Sequence, residues 1–392
     1  VSWPLVKLDE IFDVARGGSP RPIQDYITDD SDGINWVMIS DATDSSKYIT
    51  KTKKKIKPSG LKKSRMVQPG DFLLTNSMSF GRPYIMNTTG CIHDGWLVLS
   101  PKSENIDTSY FYHLFGSNAV YRHFSSVAAG AVVKNLNIDL VKALEIPLPP
   151  LPEQKRIAAI LDKADSLRRK NQQAIQLADK FLRAVFLDMF GDPVTNPKGW
   201  DVKPLKEQIV HANNGLSRRR KETENEGHIV LRLQDVQYDG IQFEKDLNRI
   251  KLDDKEALRY KVDVDDILFI RVNGNPDYVG RSAVFKGHIE PVYHNDHLIR
   301  IKVGAAYNAE FLSYCLNFKG SRNIISTQIK TSAGQYTISQ DGIERLEFFR
   351  PPIDLQNKFI TLKNHTLKVP NHKIDDGLLF NALSQKAFAG EL

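Results

Sequence analysis

Chemistry along this chain concentrates in loops rich in arginine, lysine, asparagine and glutamine. One group holds Arg16, Ser19 and Arg21 in RGGSPR, and Lys53, Lys54 and Lys55 within the run 51–65, KTKKKIKPSGLKKSR. To these it adds Asn76 and Arg82, which open and close NSMSFGR, and Lys134 in AGAVVKN. A second group holds Arg218, Arg219 and Arg220 in NNGLSRRRK, Arg271, Asn273 and Arg281 in RVNGNPDYVGR, and Gln335 and Tyr336 in SAGQY. Arg and Lys neutralise phosphates, whereas Arg, Asn and Gln can pair with base edges through two hydrogen bonds at once. Both kinds on one set of loops point to a nucleic-acid interface. The bland alternative, a solvated charged loop, weighs most on the lysine run. The arginine triplet beside Gly215 favours nucleic acid.

Catalytic chemistry is poorly supplied. Asn275-Pro276-Asp277-Tyr278 is similar to the Asn-Pro-Pro-Tyr segment with which adenine methylases hold a flipped base, but Asp277 replaces the second proline. No Gly-x-Gly occurs anywhere, so no glycine-rich cofactor loop follows any strand, and NPDY reads as a turn beside a DNA-facing loop. No well-spaced Glu-x-Lys follows Asp277, as a metal-dependent nuclease would need. His294 and His297, three apart on a strand, would face opposite sides, and no cysteine cluster assists them as metal ligands. With no Walker lysine motif, any ATP hydrolysis belongs to a partner. A coiled-coil scaffold whose globular ends bind protein is the non-enzyme rival.

Composition bounds the setting. A chain of 392 residues is long enough for two or three domains with real cores, and 41% hydrophobic with 26% charged residues is a globular composition. A formal net charge of +7 and a pI near 9.1 favour a polyanionic partner. No apolar run reaches the roughly eighteen residues of a membrane span, and VSWPLVKLDE lacks the basic-then-apolar pattern of a signal peptide. Cys91 and Cys315 are too few and too far apart for a disulfide framework, so a reducing cytoplasm is expected.

The elements that must position these loops are written twice. WPLVKLDEI (Trp3–Ile11) is echoed by WDVKPLKEQI (Trp200–Ile209), Ile39–Ala42 by Leu233–Val236, and Gln68–Leu74 by Asp263–Phe269. Phe80-Gly81-Arg82 corresponds to Val279-Gly280-Arg281, Asp94 with Leu97 to Asp296 with Ile299, and Ala129-Gly130 to Ala333-Gly334. Leu144–Ile157 corresponds to Leu346–Phe359. Seven matches in the same order mark a duplication. In the first copy Trp36–Ile39, Asp71–Thr75 and Trp96–Leu99 read as strands, and Ser109–Ser125 as a helical hairpin. The second copy repeats this with Ile229–Leu233, Ile267–Val272, Leu298–Val303 and Ala309–Ser326. The fold class is α+β, with a twisted, mostly antiparallel sheet in each copy.

Each copy ends in a long helix. From about Glu153 to Phe190 apolar or small residues recur with coiled-coil spacing, including Ile157, Leu161, Ile175 and Leu182. A second row, Ile160, Leu167, Ala174 and Phe181, is expected to widen the buried stripe. Pro152 suits the first turn, and Gly191 with Pro193 stops the helix. At 1.5 Å per residue it spans roughly 57 Å, or about 16 base pairs of duplex. The second helix, from about Leu355 to Phe388, offers Phe359, Leu362 and Leu383 as its partner seam, with a kink or break expected near Val369 because of Pro370. Antiparallel pairing of the two helices would relate the domains by an approximate two-fold axis. The expected boundaries are 1–148 and 193–350 for the domains, and 149–192 and 351–392 for the helices.

The strap Leu140, Leu144, Ile146–Leu151, Glu153-Gln154 and Ile157 resembles that of the specificity (HsdS) subunit of type I restriction–modification systems. So do FLDMFGD (Phe186–Asp192), LSQKAFAGEL (Leu383–Leu392) and the openings Trp3/Leu8 and Trp200/Leu205. The resemblance implies a non-catalytic subunit with two target-recognition domains, each reading one half of a bipartite site in double-stranded DNA. It implies paired helices that set the gap and dock two N6-adenine methyltransferase (modification) subunits, with restriction subunits joining through that complex. S-adenosylmethionine, ATP and Mg2+ would then belong to the partners, leaving this chain without a cofactor or metal. Because the loops of the two copies differ, the whole target is expected to be asymmetric.

Overall fold

The computed structural model describes residues 3–43, 47–76, 81–128, 136–218, 226–243, 247–332, 334–368 and 376–392. The chain divides into two compact units, residues 1–173 with 373–392, and residues 174–372. The expected Pro370 kink lies outside the described residues.

In the first unit a five-stranded sheet runs in the order Phe12–Arg16, Trp96–Pro101, Phe72–Thr75, Pro83–Met86 and Tyr48–Ile49. Its middle strands are unbroken apolar runs because both sheet faces are covered, and side chains alternate between them. Phe72, Leu74, Leu97 and Leu99 join the core under the helices, whereas Leu73, Trp96 and Val98 join a second core. A second sheet backs that second core, with Gly90–Ile92 parallel to Ile34–Val37 and antiparallel to Arg65–Val67. The helical hairpin is Thr108–Phe115 and Asn118–Ala128. Asp107 caps the first of these by accepting a hydrogen bond from the Tyr110 N–H at 2.8 Å.

The second unit repeats this plan. Its main sheet runs Ile209–Asn214, Leu298–Val303, Ile267–Ile270 and Ser282–Val284, all antiparallel. Ile267 and Phe269 face the helical core, and Leu268 and Ile270 the other one. His228–Leu231 pairs in parallel with Val292–His294, as Ile34–Val37 does with Gly90–Ile92. The hairpin is Ala309–Asn317 and Ser321–Ser326, capped by Asn308.

Short ribbons close both units at corresponding places. Leu5–Lys7 pairs with Glu145–Pro147, and Val202–Pro204 with Glu347–Phe349. Beyond each ribbon a buried glutamine ties the strap to the cap of the hairpin. Gln154 accepts from the Asp107 N–H (2.9 Å) and donates to the carbonyls of Pro149 (2.9 Å) and Asn105 (3.2 Å). Gln356 repeats the pattern with the Asn308 N–H (2.9 Å), Pro351 (2.8 Å) and Ala306 (3.0 Å). The glutamines thus satisfy the buried carbonyls of Pro149 and Pro351, whereas those of Pro150 and Pro352 accept main-chain N–H groups of the first helical turn.

The central helix is Leu151–Phe190, 40 residues. Gly191, at φ +79, ends it by adopting the left-handed conformation that other residues resist. Within the first unit, Ile157 and Leu161 are buried with Ala387, and Phe380, Leu383 and Phe388 pack on the same core from the helix Asp376–Ala389. Within the second unit, Phe186 and Phe190 contact Phe359 of the helix Ile353–Lys368, with ring centroids 5.4 and 5.7 Å apart. Each unit thus packs its own end of the central helix on a helix from the C-terminal part of the chain, 376–389 in the first and 353–368 in the second. Leu182 is buried, while Ile175 and Leu362 are partly so.

The seam is narrower than the sequence pattern predicts. Leu167 is 60% exposed and Phe181 49%, while Ile160 and Ala174 are partly buried, so the second row is only partly covered. A single partner helix covers one seam, and a row offset from it needs a further neighbour. Polar contacts also hold the central helix to the first unit. Lys47 Nζ (2.6 Å) and His113 Nε2 (2.7 Å) both reach Asp162 Oδ1. Burial alone would raise the Asp162 carboxyl, yet these two hydrogen bonds bring it down to about 2. Among the described residues no helix is long and apolar enough to cross a membrane.

Candidate nucleic-acid interface

In the first unit the loop leaving the strand Phe12–Arg16 is pressed against the turn at His93–Gly95. The Gly17 N–H donates to the Trp96 carbonyl (3.0 Å) and the Gly18 N–H to the Ile92 carbonyl (3.2 Å). Ser19 Oγ then donates to Asp94 Oδ1 at 2.7 Å, and Arg21 Nη2 stands 3.4 Å from Asp94 Oδ2. The Asp94 main-chain carbonyl accepts from Arg16 Nε (2.9 Å) and from Asn76 Nδ2 (3.4 Å). The Ser19 hydrogen bond above all holds the Asp94 carboxyl below the usual carboxylate range. Arg16, Ser19, Arg21 and Asn76 therefore meet around one aspartate. Arg65 joins them by donating from Nε to the Arg16 carbonyl at 2.9 Å, which sequence spacing alone did not show. Beside Arg21 an open cleft of about 550 Å3 is floored by Trp36 and Met38 and edged by Gln24 and His93.

The lysine run behaves less uniformly. Lys54 is exposed on the strand Lys54–Ile56. Lys55 Nζ is turned back to the Asp30 carbonyl (3.3 Å), and the Lys53 N–H donates to Asp41 Oδ1 (3.2 Å). Lys63 lies over the Tyr26 ring, 5.4 Å from its centroid. Arg82 is exposed, its guanidinium 5.6 Å from the Tyr84 ring. Lys134 lies outside the described residues.

The second unit carries a joint of the same kind. The Gly215 N–H donates to the Leu298 carbonyl (3.3 Å) and the Leu216 N–H to the His294 carbonyl (2.9 Å). Ser217 Oγ donates to Asp296 Oδ2 at 3.0 Å, and Arg271 Nη1 to the Asp296 carbonyl at 3.1 Å. Arg271 thus occupies the place of Asn76. Asn273 and Tyr336 are cross-strand neighbours, and Gln335 faces Ser332 in the adjoining ladder. Arg218 reaches Glu256 Oε2 at 3.0 Å and the Lys251 carbonyl. Arg219 and Arg220 lie outside the described residues.

Arg281 is buried. Its guanidinium lies 4.2 Å from the Tyr238 ring centroid and 4.5 Å from that of Tyr278, and Nη1 donates to Gln237 Oε1 at 2.7 Å. As placed, it braces the turn instead of offering charge to solvent. NPDY is that turn, with the Asp277 N–H donating to Asn275 Oδ1 at 2.9 Å. His294 is buried, and its Nδ1 donates to the Tyr260 carbonyl at 2.9 Å. Burial pushes its pKa down to about 4. Among the described residues no group of three or more His, Cys, Asp and Glu side chains could hold a metal ion.

Sequence reasoning matched Asp94 with Asp296 but gave neither a role, and it passed over Ser217, Tyr238 and Gln237. The usable signal was that an aspartate recurs at equivalent places among loops that otherwise differ.

A family model described as the Type I restriction modification DNA specificity domain matches residues 1–177. The Type I restriction enzyme StySPI specificity subunit of Salmonella potsdam is 30% identical over 359 residues, covering 85% of this chain and 77% of that protein. The Type I restriction enzyme EcoKI specificity subunit of Escherichia coli K12 is 26% identical over 362 residues, with the same two coverages, 85% and 77%. Among solved structures, the S subunit of a Type-I restriction-modification system from M. genitalium has a TM-score of 0.63 at 15% identity, covering 99% of this chain and 96% of that one, a likeness of fold. The doubled sheet-and-loop frame and the identity shared across most of both chains lead to one assignment: this chain belongs to the specificity subunits of type I restriction enzymes, and is a DNA-recognition subunit and not a methyltransferase.

Proposed function

We propose that each unit reads one half of an asymmetric bipartite site in double-stranded DNA, and that the paired helices set the gap between the halves. One observation carries this reading: the same joint occurs twice, around Asp94 and around Asp296, while the side chains beyond it differ. A shared frame displaying unlike residues suits two readers of unlike sequences. The DNA-reading parts are the domains 1–148 and 193–350, and 149–192 with 351–392 form the spacer. The direct readers are drawn from Arg16, Arg21, Asn76, Arg82, Arg271, Asn273, Gln335 and Tyr336, with the lysines near Lys54 on phosphates. Two modification subunits dock on the helices in the cytoplasm, and restriction subunits join through them. S-adenosylmethionine, ATP and Mg2+ are held by those partners.

Methylation mapping in cells carrying this chain and its cognate methyltransferase tests the reading. Two short, unlike constant elements separated by a fixed gap are expected. Methylation without sequence preference would sink the proposal. Arg21→Ala should weaken one half-site only, whereas equal loss at every sequence would reassign Arg21 as a phosphate anchor.

A further inference from the structure

We propose that Asp94 and Asp296 are positioning residues, one in each unit, that fix the loop after the first core strand in its reading position; this rests on the half-site reading above. Both aspartates occupy the turn before the strand that pairs with that first strand. Each accepts the hydroxyl of a serine three residues past the strand end, Ser19 at 2.7 Å and Ser217 at 3.0 Å. The main-chain carbonyl of each also accepts from the residue displayed by the next core strand, Asn76 in one unit and Arg271 in the other. Asn76 and Arg271 in turn accept, through their own carbonyls, from the N–H of Leu136 (3.1 Å) and Ile338 (3.0 Å). Three separate chain segments are therefore referred to one aspartate in each unit.

A second observation supports the same joint. A Cβ on Gly17 would lie 2.1 Å from the His93 carbonyl oxygen, and one on Gly215 would lie 2.2 Å from that of Asn295. No side chain fits there, so both loops press main chain to main chain on the turn that carries the aspartate. The joint is common to the units, whereas Pro20 stands in one where Arg218 stands in the other. A base reader would be expected to vary with the sequence read, and a frame to stay constant. A carboxylate beside DNA phosphates is repelled unless its oxygens are engaged, and Ser19 and Arg21 engage both oxygens of Asp94.

The test uses the full chain in complex with its cognate methyltransferase, measuring methylation rates on the mapped duplex and on every single-base change in each half-site. Asp94→Ala should lower discrimination about tenfold at one half-site and leave the other unchanged, and Asp296→Ala should do the converse. Ser19→Ala should reproduce the Asp94→Ala loss, while Ser19→Thr and Asp94→Asn, which keep a hydroxyl and an acceptor, should restore most of it. Should Asp94→Ala fail to fold, Ser19→Ala carries the test alone, and discrimination within twofold of the wild type then overturns the role. An equal fall at both half-sites overturns it as well. So does a switch to a different preferred base, which would make Asp94 itself the reader. If the unaltered complex discriminates at neither half-site, it is the half-site reading that fails.

Discussion

Replacing Gln154 by leucine removes a side chain that is 1% exposed and makes three hydrogen bonds, to the Asp107 N–H and to the carbonyls of Asn105 and Pro149. Asn105 lies on an exposed turn, so water can take over its carbonyl. The Asp107 N–H and the buried Pro149 carbonyl have no such recourse. Each buried group left without a partner costs about 1–3 kcal/mol, and leucine recovers a little through apolar contact, so the net loss should be about 2–4 kcal/mol. For folding units in the range of 150–250 residues that is a fall in Tm of roughly 5–15 °C. Calorimetry gives the shift, and hydrogen exchange gives its place. Gln154→Leu should speed exchange in residues 105–154 and leave 306–356 protected, whereas Gln356→Leu should do the reverse. A Tm change under about 2 °C, or exchange rising equally in both units, would show that the strap is not held by these amides.

Three further outcomes follow from burial or exposure. His294 is neutral in the fold with its pKa pushed down to about 4, against about 6.5 for an unperturbed histidine, so the unfolded chain binds the extra proton between those values. Stability should fall as pH drops from 6.5 towards 4, by up to about 3 kcal/mol in all. His294→Leu should flatten that part of a denaturant midpoint-versus-pH curve; an unchanged slope would exclude His294 as its cause. Phe186 is wholly buried among the rings of Phe190, Phe311, Phe318, Phe349 and Phe359, so Phe186→Ala should cost about 3–5 kcal/mol. Phe181→Ala, on the exposed row five residues earlier, should change the stability of the isolated chain by less than about 0.5 kcal/mol, as urea unfolding would read.

Much of this architecture is legible in the chain because its strongest features are local or repeated. The runs Asp71–Thr75 and Leu298–Val303, the hairpin around Gly116 and the Gly191 stop are short-range patterns. The duplication then gives each of them a counterpart. What escapes is set by long-range pairing. The parallel ladder between Ile34–Val37 and Gly90–Ile92 has no local mark, since an apolar run reads alike in either direction. The width of the helix seam escapes too, because Leu167 and Phe181 obey the heptad spacing yet stay about half exposed. At the interface, residue type suggested Arg281 as a DNA contact, whereas its two tyrosines and Gln237 draw it inward. The strap glutamines were visible as repeated letters, but the bonds that explain the repetition join residues about fifty positions apart.

The first unit is built from two stretches of chain, and the whole of the second unit lies between them. Ribosomes make proteins from the N-terminus, so Ile157 and Leu161 emerge long before Leu383 and Ala387, the residues that cover them. During that interval the second unit has all of its own chain and can fold, while the first waits with an apolar groove open. A message broken between Tyr336 and Asp376 would leave that groove uncovered, even though every candidate recognition loop had been translated. The last residues of the chain thus complete the core of the unit made first, far in sequence from the residues they cover.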